Sequence, residues 1–126
     1  MKNMAKYVDG FVIAIPVKNL PTYQKMAKEA AKVWKKYGAL EYFECVGEDL
    51  SPKTGGMKIL KFPQMVKAKR GETVVFSFVV YKSRAHRDSV NGKVMKDPFM
   101  AKYENKPMPF DMKRMAYGGF KTIVDL

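Results

Sequence analysis

The groups with which this chain could do acid–base, thiol or metal chemistry are few: one histidine, one cysteine and 12 acidic residues. A single His86 rules out a metal site built on two imidazoles of one chain, and no H-E-x-x-H, paired C-x-x-C or G-x-x-x-x-G-K-[ST] occurs. Neither a bound metal nor a cofactor is therefore expected. His86 has the unperturbed pKa of a general base, near ~6.5. It falls one turn before Val90 on an apolar helix stripe, which is the setting of a packed residue. Cys45 would need a lowered pKa to act as a nucleophile; within a strand it reads as an inert buried thiol.

Asp9 holds more promise. It interrupts an apolar strand between Tyr7 and Phe11. A carboxylate among aromatic residues is costly to desolvate unless paired, and such a setting can raise its pKa into a useful range. Asp9 would serve as acid, base or anchor, with Tyr117 of the last strand assisting. Tyr7, Phe11, Ser77, Tyr81 and the arginines Arg84, Arg87 and Arg114 would complete a mostly apolar pocket with a few polar anchors, the usual composition of a small-molecule site. The expected place for this constellation is the sheet face that the helices leave bare. The alternative is structural: Asp9 pairs with Arg84, Arg87 or Arg114 and fixes the register.

The elements that must position these residues follow from periodicity. Tyr7 to Pro16 is rich in β-branched and aromatic residues and ends at proline, as a strand does. Its alternation sets Tyr7, Asp9, Phe11, Ile13 and Ile15 on one face, and Val8, Gly10, Val12 and Ala14 on the other. Pro21 to Tyr37 repeats apolar residues every three and four positions and stops at Gly38, which predicts a helix. Ala39 to Gly47 is a second strand, with Tyr42, Glu44 and Val46 sharing one face. Thr73 to Tyr81 is the strongest β signal. Ser83 caps a helix from Arg84 to Lys96, in which Gly92 is expected to permit a close contact. Phe99 to Tyr103 adds a turn, and Met115 to Val124 supplies the last strand, with a bulge expected at Gly118-Gly119. Residues 49–72 form a long connection in which a helical turn or short strand is expected between Lys58 and Lys67.

The order β-α-β-β-α-β predicts one α+β domain over residues 1–126: a ferredoxin-like antiparallel sheet with two helices on one face. Two helices cover one side only, while the first and third strands are apolar on both. The bare side is expected to meet a second copy of the chain, giving a homodimer.

Bulk composition narrows the function classes. Hydrophobic residues make up 47%, and no apolar run approaches the ~20 residues of a membrane span. No membrane partner is expected, and the lone cysteine suits a reducing, cytoplasmic setting. Lys and Arg total 24 against 12 acids, a net charge of +12 that attracts RNA or other polyanions. The lysines are scattered, however, and the densest run, Lys67-Ala68-Lys69-Arg70, is only four residues long. A solvated surface accounts for them more simply than a nucleic-acid groove.

Four segments carry a family likeness: YVDGFVIAIP (7–16), VKAKRGETVVFSFVVY (66–81), RDSVNGKVMKDP (87–98) and PFDMKRMAYGGF (109–120). In this order they resemble the YbaA-like proteins, domain-of-unknown-function family DUF1428. The resemblance implies a dimeric α/β barrel in which two ferredoxin-like sheets enclose a shared interior. It implies no particular activity. Three functional expectations stand side by side: small-molecule binding or cofactor-free catalysis in the dimer cavity, RNA or anion binding, and a non-catalytic dimer.

Overall fold

The structure is a computed structural model and describes residues 5–126. Strand β1 (Tyr7–Pro16) leads through a short 3-10 turn into helix α1 (Leu20–Lys36), then strand β2 (Glu41–Val46). A connection carrying the one-turn helix α2 (Phe62–Met65) reaches β3 (Glu72–Tyr81), which is followed by α3 (Arg84–Met95), α4 (Pro98–Tyr103) and β4 (Ala116–Lys121). The four strands form one antiparallel sheet in the order β2-β3-β1-β4, which is the ferredoxin-like arrangement. Among the described residues no helix is long and apolar enough to cross a membrane.

Local chemistry sets the boundaries. Gly38, just past the Tyr37 cap of α1, takes φ +113°, a conformation in which a β-carbon is strained. Ser83 accepts the His86 N–H at 3.1 Å and starts α3; Asp97 accepts the Phe99 N–H at 2.8 Å and starts α4. The β1–β4 register runs unbroken from Tyr7↔Lys121 to Val12↔Ala116, so the bulge expected at Gly118-Gly119 is not formed. Gly119 has another use. A β-carbon there would lie 2.5 Å from the Tyr7 hydroxyl, so its bareness lets the Tyr7 ring lie across β4. Gly92 makes no close contact: nothing lies within 4 Å of where its β-carbon would be.

Helices α1 and α3 cover the face bearing Tyr7, Asp9, Phe11, Ile13 and Ile15. There Val79, Tyr81, Val90 and Val94 pack with Trp34 and Tyr37, while Ile13, Ile15 and Val75 pack with Leu20 and Tyr23. The opposite face carries Val8, Gly10, Val12 and Ala14 in the middle and Phe43, Phe76, Phe78 and Phe120 around them. The expectation that Asp9 faces the bare side is therefore corrected. Alternation separates the two faces of a strand, but both faces here are apolar, and only the helices decide which is inside.

The bare face is not wholly bare. The connection between β2 and β3 folds over one end of it and buries Val66 against Val12, Ala14 and Val74. This cover is itself greasy outside, with Met57, Ile59, Leu60, Phe62 and Met65 exposed. Beyond it Phe43 and Phe76 remain 45% exposed and Phe120 61%. The connection that covers apolar surface thus exposes apolar side chains of its own. Cys45 lies on this face and is exposed, where burial was expected.

Arg114 closes the far end of β3. Its guanidinium donates to both Glu72 carboxylate oxygens, at 2.7 and 2.8 Å, and draws that carboxyl from its ordinary value down to about 2. A lowered carboxyl stabilises the fold above its unfolded value and ceases to do so as pH falls through its folded one. This pair should therefore hold fully above about pH 4.5 and be lost towards pH 2. Melting temperature followed across that window should fall less steeply in Glu72→Gln than in the wild type. Equal slopes would show that the pair carries no acid sensitivity.

Candidate functional site

Two polar clusters lie on the helix-covered face, at opposite edges of the sheet. Across the strands one row of side chains reads Glu44, Ser77, Phe11, Tyr117, and the next reads Tyr42, Val79, Asp9, Gly119. Phe11 and Val79 divide the acidic groups. The two clusters differ in how far their polar atoms are already satisfied.

At the β4 edge, Asp9 is 1% exposed and lies beneath α3. Its Oδ1 accepts Arg87 Nη1 at 2.6 Å; its Oδ2 accepts the Tyr117 hydroxyl at 3.3 Å and Asn91 Nδ2 at 3.5 Å. Arg87 lies 4.9 Å above the Tyr7 ring and donates from Nε to Asp88 at 2.8 Å. Tyr117 stacks on Phe11 at 4.7 Å. Asn91 accepts from both Tyr81 and Trp34, at 3.1 and 3.2 Å, so the network continues to α1. Asp9, Tyr117, Tyr7, Phe11, Tyr81 and Arg87 are thus brought together, but beneath α3 and not on the bare sheet face where they were expected. Arg84 and Arg114 are not: among the described residues, exposed Arg84 pairs with Asp88, while Arg114 pairs with Glu72 and Asp111. Arg87 is the partner because it alone of the three projects from α3 onto β1. A closed network of this kind fastens a helix to a sheet.

His86 is likewise occupied. Its Nδ1 accepts the Lys82 N–H at 2.9 Å, and burial followed by the nearby Lys82 and Lys93 charges pushes its pKa down. With Nδ1 committed as an acceptor, the imidazole serves as a brace at the start of α3.

The β2 edge is open. A cleft of about 510 Å³ runs between α1 and β2, walled by Leu20, Ala27, Ala31 and Val75. Its polar centre is Glu44, half-buried, with one carboxylate oxygen accepting the Tyr23 hydroxyl at 2.7 Å and the other the Tyr42 hydroxyl at 2.8 Å. Burial, then the Glu44 charge, raises both phenol pKa values far above their ordinary range, so both hydroxyls remain donors to the carboxylate at all physiological pH. Ser77, buried on β3, adds a hydroxyl beside Tyr23. Ser77 therefore lies next to Tyr23, behind the residues that line the cleft, and not in the Asp9 network. Sequence reasoning placed Glu44 with Tyr42 on one strand face but did not single it out. The signal was present: a carboxylate alternating with apolar residues on β2, opposite a helix stripe headed by Tyr23.

Comparison with known proteins fits this architecture. Residues 6–112 match the family described as "Protein of unknown function (DUF1428)". The chain belongs to the DUF1428 family. Within it, "Uncharacterized protein YbaA" of Escherichia coli strain K12 is 45% identical over 120 residues, which covers 95% of this chain and 98% of that protein; the Shigella flexneri protein of the same description agrees in every figure. Among solved structures, a dimeric ferredoxin-like protein from an uncultured marine organism superposes with a TM-score of 0.58 at 12% identity, covering 97% of this chain and 99% of that one. That likeness speaks to fold alone. The DUF1428 match spans Asp9, Tyr23, Tyr42, Glu44 and Arg87 and ends before Tyr117.

Proposed function

We propose that this DUF1428 chain is a cytoplasmic small-molecule-binding protein, working as a homodimer, with its ligand held in the cleft between α1 and β2. The observation that carries the reading is Glu44: a carboxylate gripped by two tyrosine hydroxyls in a cleft of about 510 Å³ that is also lined by the apolar Leu20, Ala27, Ala31 and Val75 and by Gln24 and Lys28 of α1. Few convergent polar groups in a concave apolar setting are the usual makings of a ligand site. This moves the expected site from a chamber between two sheets to the helix side of each subunit. Dimerisation is supported by the exposed phenylalanines of the bare face and by the dimeric state of the marine ferredoxin-like protein. A reducing setting is consistent with a lone, exposed Cys45.

A ligand that binds only the folded state raises the melting temperature by mass action. A fragment collection screened by thermal unfolding should give hits with the wild-type protein. Those shifts should vanish in Ala31→Phe, where a phenyl ring occupies the cleft from its half-buried α1 wall. Hits that stabilise both proteins equally would place binding elsewhere. RNA binding, by contrast, would weaken steeply with added salt and be unaffected by filling the cleft.

A further inference from the structure

The hydrogen-bond inventory of the cleft points to the charge of its occupant, an inference that rests on reading the cleft as a binding site. Each tyrosine hydroxyl has one proton, and both protons are committed to Glu44. What Tyr23, Tyr42 and Glu44 still offer is therefore only lone pairs. Both partners of the carboxylate are neutral hydroxyls, and among the described residues Glu44 forms no ion pair. The other polar side chains lining the cleft are Lys28 and Gln24, both exposed on α1 and both able to donate. An arrangement rich in acceptors, with an unneutralised carboxylate and two phenol rings beside it, is complementary to a donor with positive charge. An anionic or purely accepting ligand would face unshared lone pairs and a like charge.

We propose that the cleft takes a compact organic cation: an ammonium, amidinium or guanidinium head that donates to Glu44 and the tyrosine oxygens, carried on an apolar body that packs on Leu20, Ala27 and Val75. The cation enters past Lys28, which opposes it. In a chain of net charge +12, Glu44 is thus a local exception to the surrounding field.

Three probes of nearly one shape separate the possibilities by calorimetry at neutral pH and low salt: 2-phenylethylamine, 2-phenylethanol and 3-phenylpropanoate. The amine should bind about tenfold more tightly than the alcohol, as a charge-assisted hydrogen bond does relative to a neutral one, with the carboxylate weakest. Glu44→Gln keeps the shape and removes the charge, and should bring amine and alcohol to near equality. Lys28→Gln, at an exposed position that does not burden the fold, should tighten the amine by about twofold by removing a screened repulsion. Alcohol or carboxylate binding as tightly as the amine overturns the charge assignment and leaves the cleft as a binding site. Failure of all three probes to bind the wild-type protein overturns the cleft reading itself, and this assignment with it.

Discussion

Arg87→Met should lower the stability of this protein by about 3–5 kcal/mol, the usual cost of leaving a buried charge without its partner. Asp9 is 1% exposed, and its shortest hydrogen bond is the 2.6 Å contact from Arg87. With the guanidinium gone, Tyr117 and Asn91 remain as neutral donors at 3.3 and 3.5 Å, too few and too distant to replace a cation. Since small domains are stable by only ~5–15 kcal/mol, a loss of this size brings the chain near its unfolding threshold. Urea denaturation at neutral pH measures it directly. The double variant Asp9→Leu/Arg87→Met should recover most of the loss, because replacing both partners by apolar groups of similar volume is often neutral. An Arg87→Met protein as stable as the wild type would show that Asp9 is not confined by this pair and would reopen a chemical role for it.

The second large effect concerns association. Phe76→Glu should convert a dimer into a folded monomer. Phe76 is 45% exposed on the bare sheet face, packs near Phe78 at 5.6 Å and Phe62 at 6.3 Å, and points away from the helix-side core. In a two-fold symmetric contact each substitution acts twice. At roughly 3 kcal/mol for each desolvated, unpaired carboxylate, the dimer loses about 6 kcal/mol, more than a ten-thousandfold in dissociation constant. Light scattering of the wild type and variant at equal concentration reads the change, and circular dichroism should find the fold intact. A wild-type protein that scatters as a monomer at high concentration would remove the homodimer from this account while leaving the cleft untouched.

Much of the architecture was legible because each element carries its own signal. The helical stripe of α1, the Ser83 cap and the proline-closed β1 all depend on neighbours a few residues away. What could not be read was long-range. Both faces of β1 are apolar, so period-two alternation separated Asp9 from Val8 but gave no indication of which side α1 and α3 would cover. Three arginines were equal candidates for Asp9 until the sheet order placed α3 above β1. Glu44 went unremarked because its meaning depends on Tyr23, a residue on another element that reads as core by spacing alone. Similarly, the capping of Val12, Ala14 and Val74 by Val66 depends on a connection whose path has no periodicity to follow. Local chemistry set the elements; their mutual placement made the site.

The central claim is that ligand binding belongs to the α1–β2 cleft, behind the sheet from the face that associates. Amide chemical-shift mapping of the wild-type protein during titration with 2-phenylethylamine tests it most directly. The account predicts that the perturbed amides fall in Leu20–Ala31 and Tyr42–Val46, with Val75 beside them. Shifts confined instead to Val8, Gly10, Phe78 and Phe120 would put the ligand between two sheets, and shifts centred on Asp9 and Arg87 would put it beneath α3; either result contradicts the account.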